Sequence, residues 1–184
     1  MKKPVLIIIT GLPGTGKTTI ARKIANAFNL PLIIRDDIKE TIFDAVGWSD
    51  REWSKKVGLS SYKLLYYFLD EIMKTGKSLI VETNFATERD SASLQERVVK
   101  YNYDPLQIVC QCEGEVLYER FKNRSESEER HPGHGDHLNY AEFKETLLKP
   151  YAPLAVVGEE IIFNTTDLKK LDYETVLKRI EEFL

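Results

Sequence analysis

The run Gly11-Leu12-Pro13-Gly14-Thr15-Gly16-Lys17-Thr18-Thr19 carries the spacing G-x-x-x-x-G-K-[ST]. Each residue type has a task in holding an anion. The glycines permit backbone conformations and close approaches that a side chain forbids, so that successive N–H groups of the loop turn inward. A helix that starts at the lysine adds the partial positive charge of its N-terminus. Lys17 then brings an ammonium to the β- and γ-phosphates of a nucleoside triphosphate, and Thr18 sets a hydroxyl where Mg²⁺ sits. Pro13, Gly14, Thr15, Gly16 and Thr19 complete the cradle.

Carboxylates and cations recur at other places where a phosphoryl acceptor would be handled. Arg35-Asp36-Asp37 follows a short aliphatic run. Asp36, the first carboxylate past that run, is the candidate general base, and Asp37 is expected to N-cap the next helix. Lys39, one helical turn from Asp36, is either a grip for an anionic group of the acceptor or a solvated lysine. Glu82-Thr83-Asn84-Phe85 follows another aliphatic run. Glu82 would accept hydrogen bonds from the acceptor or orient Mg²⁺ through water, with Asn84 and Phe85 lining the acceptor pocket. Arg120 and Arg124, at i and i+4, share one helix face. With Arg130 they offer the cationic groups that phosphoryl transfer requires around the equatorial oxygens. His131, His134 and His137 lie in a Pro/Gly-interrupted loop. A lid or substrate contact, plain solvation and a metal site are the readings open to them.

The elements that must position these groups show in the hydrophobic pattern. Near-continuous aliphatic runs at 5–9, 31–34, 78–81, 106–112 and 160–163 predict five strands covered on both faces. Helical periodicity appears at 17–28, 59–73, 88–101, 114–124 and 175–184. Strand alternating with helix implies an α/β fold, a parallel sheet between two helical layers. In such a sheet ligands gather beyond the carboxyl ends of the strands, where Asp36 and Glu82 stand. Residues 36–58 read as a polar helix and a loop, and 124–139 as a charged loop that serves as a lid. The chain, 1–184, reads as one domain.

Composition excludes other classes. With 26 Lys+Arg against 29 Asp+Glu, the net charge is −3, which disfavours a dedicated duplex-DNA binder. The longest aliphatic run is far short of the about 20 residues a membrane span needs, and no signal peptide is apparent, so a cytoplasmic protein is expected. Cys110 and Cys112, two apart on a strand, read as core thiols in a reducing compartment.

Taken in order, residues 11–19, Arg35-Asp36-Asp37, Glu82-Thr83-Asn84 and the pair Arg120/Arg124 resemble the P-loop kinases of the group that holds phage-type polynucleotide 5′-kinases, zeta toxins and chloramphenicol phosphotransferases. The resemblance spans roughly residues 4–165. It implies a sheet in the order 2-3-1-4-5, with Asp36 deprotonating a hydroxyl, Lys17 and Arg124 stabilising the transferring phosphoryl of Mg·ATP, and Arg120 helping to hold the nucleotide. Lys39 stands where the phage-type enzymes have an arginine on the substrate phosphate, and Glu82 where they have an aspartate. Both departures fall on the acceptor side. Acidic balance and the missing arginine favour a small-molecule or nucleoside-like acceptor, bound beside Arg35, Lys39, Glu82, Asn84 and Arg130. A nucleic-acid 5′-hydroxyl is the alternative. A nucleotide switch or ATPase acting with a protein partner is a further class, and a non-catalytic nucleotide-binding module the last.

Overall fold

The computed structural model describes residues 2–128, 130–136, 140–149 and 151–184. Five strands, β1 (Val5–Gly11), β2 (Leu32–Ile34), β3 (Leu79–Glu82), β4 (Asp104–Gln111) and β5 (Glu159–Asn164), form one parallel sheet in the order β2-β3-β1-β4-β5. Every residue of β1 is buried. Strand alternation sends Val5, Ile7 and Ile9 into one layer and Leu6 and Ile8 into the other. The first layer is closed by α1 (Lys17–Phe28), through Ile20 and Ile24, and by α7 (Tyr173–Phe183), through Ile180. The second is closed by α3 (Arg51–Met73), through Leu65, Leu69 and Met73, and by α4 (Thr87–Tyr101), through Leu94 and Val98. Each such aliphatic side chain contributes about 1.5–3 kcal/mol on burial. Two faces to cover explain why the strands read as unbroken apolar runs.

Several boundaries differ from the sequence reading. The helix expected at 59 begins at Arg51, because Asp50 caps it: its carboxylate accepts from Trp53 N at 2.8 Å, and the Trp53 indole donates to Gly47 O at 3.0 Å. The polar helix of the same stretch is α2 (Arg35–Val46), which starts directly from β2 with Ile34 at its N-cap. Asp37 therefore sits in the first turn and caps nothing. It takes two hydrogen bonds from the guanidinium of Arg22 on α1, at 2.8 and 2.9 Å. The predicted loop 124–139 is shorter than expected. Helix α5 (Gly114–Ser125) carries on to Ser125, Pro132–His134 forms a 3-10 turn, and α6 (Tyr140–Leu147), which the sequence reading missed, follows. His137 lies outside the described residues. Cys110 is buried, and burial pushes its thiol up to about 12. Cys112 falls past the end of β4 and is half-buried rather than in the core.

Residues 151–157 pair with no strand among the described residues, and side chains supply their hydrogen bonds. The Gln107 amide of β4 accepts from Leu154 N at 2.7 Å and donates to Leu154 O at 3.3 Å. From α4, Thr87 donates to Pro153 O at 2.9 Å, Ser91 accepts from Ala155 N at 2.9 Å and Gln95 accepts from Val157 N at 2.8 Å. The Tyr151 hydroxyl joins Thr10 of β1 to the carbonyl of Phe85.

The cap at Asp50 gives a first prediction. Asp50→Ala lowers stability by about 1 kcal/mol, measured in urea denaturation followed by tryptophan fluorescence as a lower midpoint at unchanged slope.

Candidate active site

The phosphate loop leaves β1 at Gly11, whose φ of 144° and close approach admit no side chain: a Cβ there would meet Cys110 O at 2.3 Å. Gly16, at φ 81°, is the N-cap of α1 and has open space around it, so its requirement is conformational rather than steric. No side chain caps α1 and no acidic residue occupies its first turn, so its amides face outward without a resident acceptor side chain. Thr15 folds back on the loop, its hydroxyl donating to Leu12 O at 2.9 Å, and Lys17 Nζ reaches the same carbonyl at 3.2 Å. Thr19 is exposed beside the cradle.

Opposite the loop lies the end of β3. Glu82 is buried and its carboxylate accepts from the Thr18 hydroxyl at 2.9 Å, with Lys17 Nζ at 3.9 Å. Burial pushes its pKa up and Lys17 pulls it back. The Thr18 and Glu82 oxygens suit a hard cation such as Mg²⁺, which takes few protein ligands and fills its shell with water and phosphate oxygens.

These groups form one end of a cleft of about 370 Å³. Its other end is made by α2 and α3. Pro13, Lys17, Thr18, Arg35, Asp36, Lys39, Glu82, Asn84, Arg124 and Arg130, all singled out from the sequence, line it together. Burial works against ionisation of the Asp36 carboxyl, but the cations around it, Arg130 foremost, hold it well below the usual carboxylate range. Lys39 is buried rather than solvated, and donates to Ser54 Oγ at 3.0 Å. Arg35 stacks over the Tyr62 ring at 4.3 Å, and its Nε is buried without a hydrogen-bond partner. Arg35 and Lys39 converge on Gly58 of α3, where a Cβ would stand 3.2 Å from Arg35 Nη2 and 3.9 Å from Lys39 Nζ. Burial and then the neighbouring Arg35 push Lys39 down to about 8. Among the described residues the cleft is lined by Lys17, Arg35, Lys39, Arg51, Lys55, Arg124 and Arg130 against Asp36, Glu82 and Asp136. A positive cleft in a chain of net charge −3 is built for anions.

The two arginines of α5 part company. Arg124 lines the cleft, and its buried Nε has no partner. Arg120 is not among the lining residues: it donates to Thr165 O at 2.6 Å and Thr166 O at 2.7 Å, holding the loop after β5. His134 is buried with Nε2 at 2.8 Å from Glu40, and His131 lies 3.2 Å from Asp44 with its ring stacked on Phe43. Neither is merely solvated. Phe85, expected in the acceptor pocket, instead packs into the core below it.

The helix expected at 59–73 leaves out Arg51, Ser54 and Gly58 of the cleft wall, and Tyr62, which it includes, lines the cleft as well. Their spacing of three, four and four is one helical stripe, and Asp50 before it was the available signal.

Comparison with known proteins fits this geometry. Residues 1–169 match the zeta toxin family. The chain belongs to the zeta toxin family. A solved structure from Chloroflexus aurantiacus, described as a candidate kinase, is 35% identical over the whole of both chains with a TM-score of 0.89. The PezAT toxin–antitoxin system of Streptococcus pneumoniae gives a match at 17% identity and TM-score 0.59, covering 94% of this chain and 72% of that one. Shikimate kinase from Bacteroides thetaiotaomicron matches at 19% identity and TM-score 0.53, covering 97% and 96%. These last two share the fold. A search of curated protein sequences finds no match. The zeta toxin family member thus has a P-loop kinase fold, and among its described residues no helix is long and apolar enough to cross a membrane.

In this family member Lys17→Ala is expected to weaken Mg·ATP binding about tenfold or more, roughly 1.4 kcal/mol, in titration calorimetry. The melting temperature without nucleotide should stay within a few degrees of the parent's. Unchanged affinity would place the triphosphate elsewhere.

Proposed function

We propose that the protein is an ATP-dependent kinase that moves the γ-phosphoryl of Mg·ATP to a hydroxyl of a small or nucleoside-like acceptor carrying its own anionic group. The observation that carries this reading is that Lys17 and Thr18 of the phosphate loop and Asp36 of α2 line one cleft. Asp36 accepts the hydrogen bond of the acceptor hydroxyl and aims its oxygen at the γ-phosphorus. The new O–P bond forms as the bond to the β–γ bridging oxygen breaks, ADP leaves, and the hydroxyl proton passes to Asp36. A carboxylate held so far below its usual range is a weak base, so it takes the proton late, as a loose phosphoryl-transfer transition state allows. Lys17 and Arg124 balance charge on the transferring group, and the loop amides hold the β-phosphate. Thr18 and Glu82 would hold magnesium, which would supply positive charge against the phosphates.

Arg35 and Lys39 support the anionic acceptor. Two cations brought together at Gly58 repel one another, an arrangement that an anion between them relieves. ATP as donor suits a cytoplasmic setting.

Incubation with γ-labelled Mg·ATP and a panel of sugar, nucleoside and aminoglycoside acceptors, their phosphorylated counterparts and a 5′-hydroxyl oligonucleotide tests the reading. Label is expected on an anionic small molecule, with transfer lowered about 10²–10⁴-fold by Asp36→Ala. Full ATP turnover without acceptor, indifferent to that substitution, would defeat it. Label on the oligonucleotide alone would replace the acceptor class.

The pH dependence has a definite sign. Lys39 is charged below its pKa of about 8 and loses its proton above it. Affinity for the anionic acceptor should therefore be full below that pH and decline as pH rises through it. Lys39→Met should remove this decline, which acceptor KM measured between about pH 6 and 9.5 will show.

A further inference from the structure

The segment 130–136, which holds the His-Pro-Gly-His motif, is docked rather than free. Along α2 it meets residues 36, 40, 43 and 44, which lie on one helical face. Gly133 packs so tightly that a Cβ would stand 2.6 Å from the Phe43 ring. The His131 ring stacks on Phe43 at 5.3 Å, His134 Nε2 is 2.8 Å from Glu40, and Ser54 Oγ of α3 donates to His134 O at 3.5 Å. In the middle of this contact Arg130 has all three guanidinium nitrogens engaged. Nη1 donates to Asp36 Oδ2 at 3.1 Å and lies 3.5 Å from Glu40 Oε1. Nε donates to Asp136 Oδ2 at 2.9 Å, and Nη2 stands 2.8 Å from the same oxygen. A guanidinium among three carboxylates has little field left for a phosphoryl group. Arg124, with its buried Nε unpartnered, is the contrasting case.

We infer that Arg130 is a positioning residue for Asp36: it pins Oδ2 of the carboxylate to a fixed wall of the acceptor half and leaves Oδ1 to receive the acceptor hydroxyl. Among the described residues no hydrogen bond reaches Oδ1, and Arg35 Nη1 lies 3.6 Å from it. The sequence reading of Arg130 as a phosphoryl contact is replaced by one in which it acts through Asp36. The functional consequence rests on the kinase proposal. The geometry does not.

Other groups also face Asp36. They are Arg35, Asp37 and Lys39 on its own helix, Lys17 of α1, Glu82 of β3, Arg124 of α5 and His134 of the docked segment, while Glu40 and Asp136 share Arg130 with it. A test must change Arg130 alone and read Asp36 directly, without any acceptor. With ¹³C-carboxyl-labelled aspartate, the Asp36 signal, assigned by its loss in Asp36→Asn, is followed against pH in the parent, Arg130→Gln and Arg130→Lys. The titration midpoint is expected to rise at least tenfold in proton affinity in Arg130→Gln. In Arg130→Lys, which keeps the charge but loses the planar fork that sends separate nitrogens to Asp36 and Asp136, a smaller rise of about threefold is expected. The affinity for Mg·ATP, measured by calorimetry, should stay within about twofold of the parent in both, whereas Arg124→Gln loses tenfold or more.

Unmoved midpoints, or a tenfold loss of Mg·ATP affinity in either Arg130 variant, would overturn the assignment and return Arg130 to the nucleotide. Should Arg130→Gln fail to fold, Arg130→Lys decides alone. A parent that phosphorylates no acceptor would defeat the kinase reading while leaving this result intact, so the two failures are distinct.

Discussion

Parallel pairing of β1 with β3 is the constraint on which the site depends. Ile9 pairs with Glu82, and Thr83 N donates to Ile9 O at 3.3 Å just beyond. This register brings the start of the phosphate loop and the buried carboxylate of β3 to one sheet edge. It also puts Glu82 on the side where Thr18 and Lys17 can partner it. Strand period allows no tolerance: a slip of one residue would turn Glu82 to the opposite face, among the side chains of an apolar layer. The β2–β3 pairing adds Ile34 opposite Glu82, so that α2 leaves from the same edge and carries Asp36 with it. Three strand ends in lateral register thus supply the loop, the carboxylate and the helix start.

The balance of charge follows the same geometry. The elements meeting at that edge place three lysines, four arginines and three carboxylates around one cleft, inside a chain whose net charge is slightly negative. Some cations are committed to carboxylates, as Arg130 is to Asp36 and Asp136, and others, such as Arg124, keep a nitrogen unpaired. Only the second kind has field to offer a ligand. A count of charged residues near a cleft therefore says less about its ligand than the pairing of each one does.

Much of this was legible in the residues because the relevant physics is local. The cradle needs small and lysyl residues at fixed spacing, and buried parallel strands need long aliphatic runs, so the sheet and about half of the lining residues could be placed, whereas the strand order came from the family resemblance alone. What escaped depended on partners distant in sequence. Asp37 looked like a cap because it precedes an apolar-periodic stretch, but β2 runs straight into α2 and the carboxylate turns to Arg22. Arg120 and Arg124 look equivalent four residues apart, yet only one meets the cleft, because the loop after β5 offers carbonyls to the other. The histidine segment reads as loose polar chain, and only the face of α2 against it explains its packing.

Helix α4 looks more polar than its neighbours because one of its stripes is spent on the chain's own backbone. Thr87, Ser91 and Gln95, spaced by four, clasp the backbone of residues 151–157, much as a neighbouring strand would. Hydrophilicity at these positions therefore marks structural commitment rather than freedom. A substitution that keeps the polarity but exchanges donor for acceptor is as disruptive there as an apolar one, and tolerance along this helix should follow hydrogen-bond sense instead of hydropathy.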